Sequence, residues 1–288
     1  SRFAQQARRS ASTTARPRFV AGSMGPTTKA ISVTGGITFE ELIENFKEQA
    51  KALAEGGADY FLLETAQDTR NIKAGLIGIH QYLEQSGLTL PIAVSGTIEA
   101  MGTMLAGQTV EALAISLAHE DLLYLGLNCA TGPDFMTDHL RALSALAKTR
   151  VACVPNAGLP DENGNYLETP QSIAKTVERF VDEGWINLVG GCCGTRDDHI
   201  AALSRRIQGK KPRAIPQYKR SFLSGLEIAE AEPSNRPLLV GERTNSLGSR
   251  KFKRLIAEEK HEEASEIARA QVKGGAQVLD LCLQNPDR

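Results

Sequence analysis

Between residues 18 and 207 one pattern repeats six times: a short apolar run, a loop, and a segment with helical periodicity. The runs cover 18–25, 59–65, 91–97, 123–129, 151–157 and 186–191, and the helical segments 39–55, 69–85, 109–119, 133–148, 170–183 and 195–207. In the first helical segment Leu42, Ile43, Phe46, Ala50 and Leu53 share one face, and Gly56-Gly57 supplies the stop. Runs that are apolar throughout are buried on both faces, which requires a parallel sheet covered by helices. Six such units predict an α/β fold, either a (β/α) barrel or a doubly wound sheet.

The polar and reactive residues Glu64, Thr97, Asn128, Cys129, Asn156, Cys192 and Cys193 all fall at the C-terminal ends of these runs. In a barrel that end carries the chemistry, and strands distant in sequence become neighbours around the rim. The composition then shifts. Residues 209–237 are rich in Pro and Lys with little periodicity and read as a linker. A new strand starts at Leu238, two short helices follow, and 276–283 reads as a further strand. Two parallel strands cannot enclose a core alone, so 238–288 is expected to be the start of a longer domain, and 1–208 the first domain. At the N-terminus five arginines (2, 8, 9, 16 and 18) stand among Ser and Thr, with no acid before Glu40. That is the pattern of a transit peptide, but Phe3, Ala4, Ala7, Ala11 and Ala15 recur at near-helical spacing, and a helix is the expectation.

A formal net charge of -1 gives no reason to expect nucleic acid or an acidic membrane as partner. No apolar run reaches the roughly 18 residues of a membrane span. The five cysteines are an odd count without a secretory signal, which favours a cytoplasmic, reducing setting and metal or catalytic roles over disulfides. The vicinal pair Cys192-Cys193 lies among Gly190, Gly191 and Gly194, which give the backbone freedom to turn. Taken alone the pair has several readings: small buried hydrophobes, a strained disulfide, a redox couple, or metal ligands. With Cys129 it would make a three-thiolate zinc site with an open fourth position, able to bind an incoming thiol and remove its proton. Cys153 reads as core and Cys282 as part of the second domain, while His119 and His199 fit helices better than metal. Glu64 is suited to a substrate ammonium group or equally to a surface place near a helix start, and Asn128 and Asn156 to hydrogen bonds with substrate or loop.

Three motifs then stand out together: Gly126-Leu127-Asn128-Cys129, Pro155-Asn156-Ala157-Gly158-Leu159-Pro160 and Gly190-Gly191-Cys192-Cys193-Gly194-Thr195. They resemble the homocysteine S-methyltransferase domain. Val240-Gly241-Glu242-Arg243-Thr244-Asn245, with Gly248-Ser249-Arg250-Lys251-Phe252, looks like the start of a methyltetrahydrofolate (pterin-binding) domain. That pairing, in that order, is similar to the cobalamin-dependent methionine synthases. The resemblance implies a (β/α)8 TIM-barrel type fold lacking its first two strands, followed by the start of a second (β/α) barrel, and hence an internal fragment that is inactive alone. It implies zinc on Cys129, Cys192 and Cys193, and homocysteine contacts from Glu64, Asn128 and Asn156. Pterin contacts would come from Asn245, Gly248, Ser249 and Asp280. The implied reaction moves a methyl group from 5-methyltetrahydrofolate through cobalamin, carried by another module of the same longer protein, to homocysteine, giving methionine. Where the family carries Asp-x-Asn, this chain has Asp280-Leu281-Cys282. The alternatives are a cobalamin-independent homocysteine methyltransferase and a structural zinc module.

Overall fold

The computed structural model describes residues 2–284, which divide into two compact units. The first comprises the residues up to Tyr218 together with Ser224–Glu227, and the second Lys219–Leu223 and the residues from Ile228 onward. Among the described residues no helix is long and apolar enough to cross a membrane.

The first unit opens with α1 (Arg2–Ala11), a helix that buries none of its residues. It is held by Arg8 on the Asp59 carboxylate, 2.5 Å away, and by Gln5 on the Gly57 carbonyl. Six βα pairs follow: β1 (Ala21–Met24) with α2 (Phe39–Glu55), β2 (Tyr60–Ala66) with α3 (Thr69–Ser86), and β3 (Ile92–Gly96) with α4 (Val110–Ser116). Then come β4 (Leu125–Asn128) with α5 (Thr137–Leu146), β5 (Val151–Val154) with α6 (Pro170–Asp182), and β6 (Leu188–Val189) with α7 (Asp197–Ile207). The strands form one parallel sheet in the order β1-β2-β3-β4-β5-β6. Every crossover steps one strand in the same direction. A doubly wound sheet would reverse at a switch point, so this winding is that of a barrel wall.

Local chemistry sets the helix ends. Thr38 closes a capping box with Glu41 at the start of α2, and Asp68 caps α3 while also receiving the Ser32 backbone N–H. Asn71 completes that anchor: its Oδ1 accepts from Ile31 N and its Nδ2 donates to Lys29 O, so the β1–α2 loop is tied to α3. The helix α5 starts four residues later than its periodicity predicts, because Pro133 to Met136 form a turn instead (Met136 N to Pro133 O, 3.1 Å). Helices α2 and α3 pack backbone against backbone at Gly78. A Cβ there would lie 2.4 Å from Ile43 O, a distance no side chain tolerates. On the sheet's other face Ala93, Tyr124 and Ala152 pack with Tyr60, Leu62 and Leu123. The Tyr60 and Tyr124 rings meet edge to face, 6.2 Å between centroids.

Within 209–237, the stretch that composition reads as a linker, the residues up to Tyr218 belong to the first unit. Arg213 is buried, its guanidinium donating to the carbonyls of Ser144, Ala147 and Thr149, and its own carbonyl accepting from Asn187 Nδ2. One arginine thus closes the C-terminal end of α5, where unpaired carbonyls concentrate partial negative charge. A short hairpin, β7 (Phe222–Ser224) and β8 (Ile228–Glu230), follows.

The second unit holds β9 (Val240–Asn245), α8 (Arg250–Ala257), α9 (His261–Lys273) and β10 (Val278–Cys282). Strands β9 and β10 pair in parallel, with a register shift between Leu279 and Leu281. Phe252, Leu255 and Ala264 form the small core between its helices, supported by Ile256 and Ile267.

Candidate metal centre

Three strand ends build the site. Cys129 follows β4 and takes a left-handed backbone (φ 62°), as does Ala130 (φ 55°). Two successive non-glycine residues in that region cost about 1–2 kcal/mol each, so the surroundings must impose the turn. They do so through Cys129 N on Val154 O, Thr131 N on Cys129 O and Asn156 N on Thr131 O. Beyond β6 the chain runs alongside the end of β5: Cys192 N donates to Pro155 O (2.8 Å) and Ala157 N to Cys193 O (2.9 Å). The Asn156 Oδ1 accepts from Cys193 N at 3.1 Å, and Thr195 Oγ1 donates to Cys192 O at 2.7 Å. Strand β5 is therefore the central support, with Cys129 delivered from one side and Cys192-Cys193 from the other.

The three sulfurs all lie within 4.8 Å of one another, with Cys129 Sγ to Cys193 Sγ 3.8 Å and Cys192 Sγ to Cys193 Sγ 4.0 Å. A disulfide needs about 2.05 Å, and all three cysteines are free. Cys193 is exposed and the other two are half-buried, unlike Cys153, which is fully buried in β5. Burial pushes the Cys153 thiol up to about 12, which marks it as core. The Cys192 thiol is also pushed up to about 12, first by burial and then by Cys129, against a lowering contribution from Asn128. In tetrahedral zinc thiolates, bonds of about 2.3 Å put sulfurs about 3.8 Å apart. The donor set and spacing therefore fit a zinc ion.

Asn128, buried at the end of β4, connects this cluster to β2. Its Oδ1 accepts from Thr65 N (2.9 Å), and its Nδ2 donates to Thr65 Oγ1 (2.8 Å) and towards Cys192 Sγ (3.8 Å). Thr65 is itself left-handed (φ 55°) and lies in a break of the β2–β3 register between Leu63 and Ala66. Glu64, one residue earlier, receives Ser23 Oγ on its Oε1 at 2.5 Å. Of the residues expected at the site, the structure thus gathers the three cysteines with Asn128 and Asn156, and links Glu64 to them through Thr65.

Sequence reasoning passed over Ser23, Thr65 and Tyr166. The ring of Tyr166 lies on Gly194, whose φ is 77°, so close that a Cβ there would meet Tyr166 Cγ at 2.2 Å. Partial burial and the neighbouring Cys193 sulfur raise the Tyr166 phenol above its usual value. The one available signal was the glycine directly after the cysteine pair. His199, expected on a helix, lies in α7 and is buried. It accepts from Arg196 N at 3.2 Å, and its Nε2 stands 3.1 Å from Glu168 O, so it ties α7 to the loop that carries Tyr166. His119 is exposed beside Glu120, away from the cluster.

In the second unit the four expected pterin residues lie near the C-terminal ends of β9 and β10. Asn245 Nδ2 donates to Asp280 Oδ2 (3.2 Å), while its Oδ1 accepts from Leu247 N and Gly248 N. Ser249 caps α8.

A sequence model of the homocysteine S-methyltransferase family matches residues 1–207. Among solved structures, the apo form of the homocysteine methyltransferase MmuM from Escherichia coli aligns with a TM-score of 0.55 at 24% identity, over 71% of this chain and 68% of that one. Its metallated form aligns with a TM-score of 0.54 at 24% identity, over 71% and 67%. These two likenesses establish the shared fold.

Proposed function

The chain belongs to the homocysteine S-methyltransferase family, and from that premise we propose that it methylates the thiol of homocysteine at a zinc ion held by Cys129, Cys192 and Cys193. The observation that carries this reading is the convergence of three free thiols, within 4.8 Å of one another, on the ends of two strands. A metallated form of MmuM supports it. When bound, zinc supplies the Lewis acidity that keeps an incoming thiol as thiolate near neutral pH.

The chain's own residues do the rest. Glu64 meets the substrate ammonium with the carboxylate oxygen that Ser23 leaves free. Asn156 orients Cys193 through its backbone N–H, and Asn128 orients Cys192. Tyr166 walls the open side of the sulfur cluster and keeps water from the nucleophile. The substrate sulfur forms the new S–CH3 bond as the methyl group leaves its donor, and the thiol proton has gone to solvent on binding.

For the donor, we propose 5-methyltetrahydrofolate acting through cobalamin. Support comes from the second unit's resemblance to the start of a pterin-binding domain and from the Asn245–Asp280 pair within it. Asn245, Gly248, Ser249 and Asp280 would face the pterin, and a corrinoid would supply the methyl-transfer chemistry itself. In this reading 1–208 and 238–288 are parts of two catalytic domains of a longer cytoplasmic enzyme.

The test is metal content. Wild type should hold about one zinc per chain by elemental analysis, and Ala in place of Cys129, Cys192 or Cys193 should lower it. X-ray absorption at the zinc edge should gain one sulfur neighbour when homocysteine is added. Full zinc retention by all three variants sinks the ligand assignment, and unchanged coordination favours a structural site.

A further inference from the structure

We infer that Asn128 is a positioning residue that couples the ammonium subsite to the sulfur cluster, setting the spacing at which an aminothiol is recognised. This rests on the zinc and homocysteine reading above and gives Asn128 a different part from substrate contact.

The argument is one of hydrogen-bond capacity. A side-chain amide offers two N–H donors and one carbonyl oxygen. Both Asn128 donors are engaged, one on Thr65 Oγ1 at 2.8 Å and one towards Cys192 Sγ at 3.8 Å, and the oxygen receives Thr65 N at 2.9 Å. The residue is 1% exposed, so nothing remains for a substrate to reach. Its backbone is fixed as well, because Thr97 Oγ1 donates to its carbonyl at 2.9 Å. The two groups it joins lie 63 and 64 residues away and have different jobs. Cys192 is in the sulfur cluster. Thr65 is the left-handed residue that interrupts β2 pairing, and it directly follows Glu64.

Homocysteine carries its ammonium and its sulfur on one short carbon chain, so a site that recognises both ends must hold its two anchors at a fixed separation. No ladder hydrogen bond joins β2 to β6, which sit four places apart in the sheet order. The Asn128 side chain spans that gap. Partners that orient metal ligands typically change metal affinity by about 10–100-fold when removed. Here the same group should also alter which thiols bind.

The experiment compares wild type with Asn128→Asp, which keeps the shape and the oxygen but removes both donors. Zinc affinity is measured by chelator competition. Binding of homocysteine and of 4-mercaptobutyrate, which lacks the ammonium, is measured by calorimetry on zinc-loaded protein. Wild type should prefer homocysteine by at least about 10-fold, in line with one charge-assisted hydrogen bond. Asn128→Asp should lose about 10-fold or more in zinc affinity and bring that preference towards one. A merely structural role would lower the melting temperature and leave the preference intact. Thr65→Ala, which cuts only the hydroxyl half of the link, carries the test should Asn128→Asp not fold, and should lower the preference at least about threefold. A preference unchanged in every variant that folds overturns the proposal. Wild-type protein that takes up no zinc overturns the underlying reading instead, and the two failures are distinct.

Discussion

The contact between Gly194 and Tyr166 makes Gly194→Ala the sharpest single test of how the metal centre is held. Two costs add. An L side chain at φ 77° pays about 1–2 kcal/mol against the left-handed region. The new methyl would also fall 2.2 Å from Tyr166 Cγ and 2.6 Å from its Cβ and Cδ1, so the ring must leave. Overpacking of that kind costs typically about 1–3 kcal/mol, and a total near 3 kcal/mol is expected. For a unit of this size each kcal/mol lowers the melting temperature by roughly 2–4 °C, so a loss of about 6–12 °C should appear in a thermal melt followed by circular dichroism. The steric part can be isolated. In Gly194→Ala/Tyr166→Gly both the ring and its Cβ are absent, and only the backbone cost should remain on top of the Tyr166→Gly background. A double-mutant cycle should therefore return a coupling of about 1 kcal/mol or more. Zinc content should fall in the single variant, because Cys193 adjoins the displaced turn. Strictly additive melting temperatures, with zinc content at the wild-type level, would refute the claim that ring and glycine are packed as a unit around the sulfurs.

Further outcomes follow from other residues. Glu64→Gln should weaken homocysteine binding by about 10–100-fold, the worth of a hydrogen bond between charged groups, with zinc content unchanged; calorimetry reads both. Burial holds the half-buried His139 below the usual histidine value, opposed by Glu111 and Asp138. Its folded form therefore binds fewer protons than the unfolded chain, so it contributes stability above the unfolded value that is lost as pH falls through about 6.5 and below. Urea midpoints from pH 7.5 to 5 should fall less steeply in His139→Gln than in wild type, and parallel profiles would dismiss the effect. In metal-free protein, alkylation followed by peptide mass spectrometry should find Cys193 modified first and Cys153 last, because Cys153 is fully buried with its thiol near 12. Equal rates at the two would contradict the burial of β5.

Much of the fold was legible because it rests on one-dimensional signals. The six apolar runs became the six strands, their continuous character announced a parallel sheet, and Thr38, Asp68, Thr109 and Thr169 start helices as capping residues should. The choice between barrel wall and doubly wound sheet came from the resemblance and not from periodicity, because strand order is a property of the assembled sheet. The cysteines were visible as residues, but their convergence depends on β5 lying between β4 and β6. Least legible were the left-handed positions Thr65, Cys129 and Ala130. None is glycine, and Thr65 and Cys129 are held by Asn128 and Val154 on other strands, so no local composition betrays the turns. Arg213 is a further case: in a stretch that composition reads as a linker, its place is set by helix-end carbonyls that no local pattern announces.

The sulfur cluster also has a history within each molecule. Cys129 and Cys193 stand 64 residues apart, with α5, β5, α6 and β6 between them. The unfolded chain offers an ion only a neighbouring pair of thiols, and the third arrives once β4, β5 and β6 have docked in order. An ion on all three therefore grips only a correctly assembled sheet, and its binding energy is added to that state alone. Metal supply would then act as an inspector of folding: chains whose central strands have paired in order are retained, and those that have not are left to the proteases.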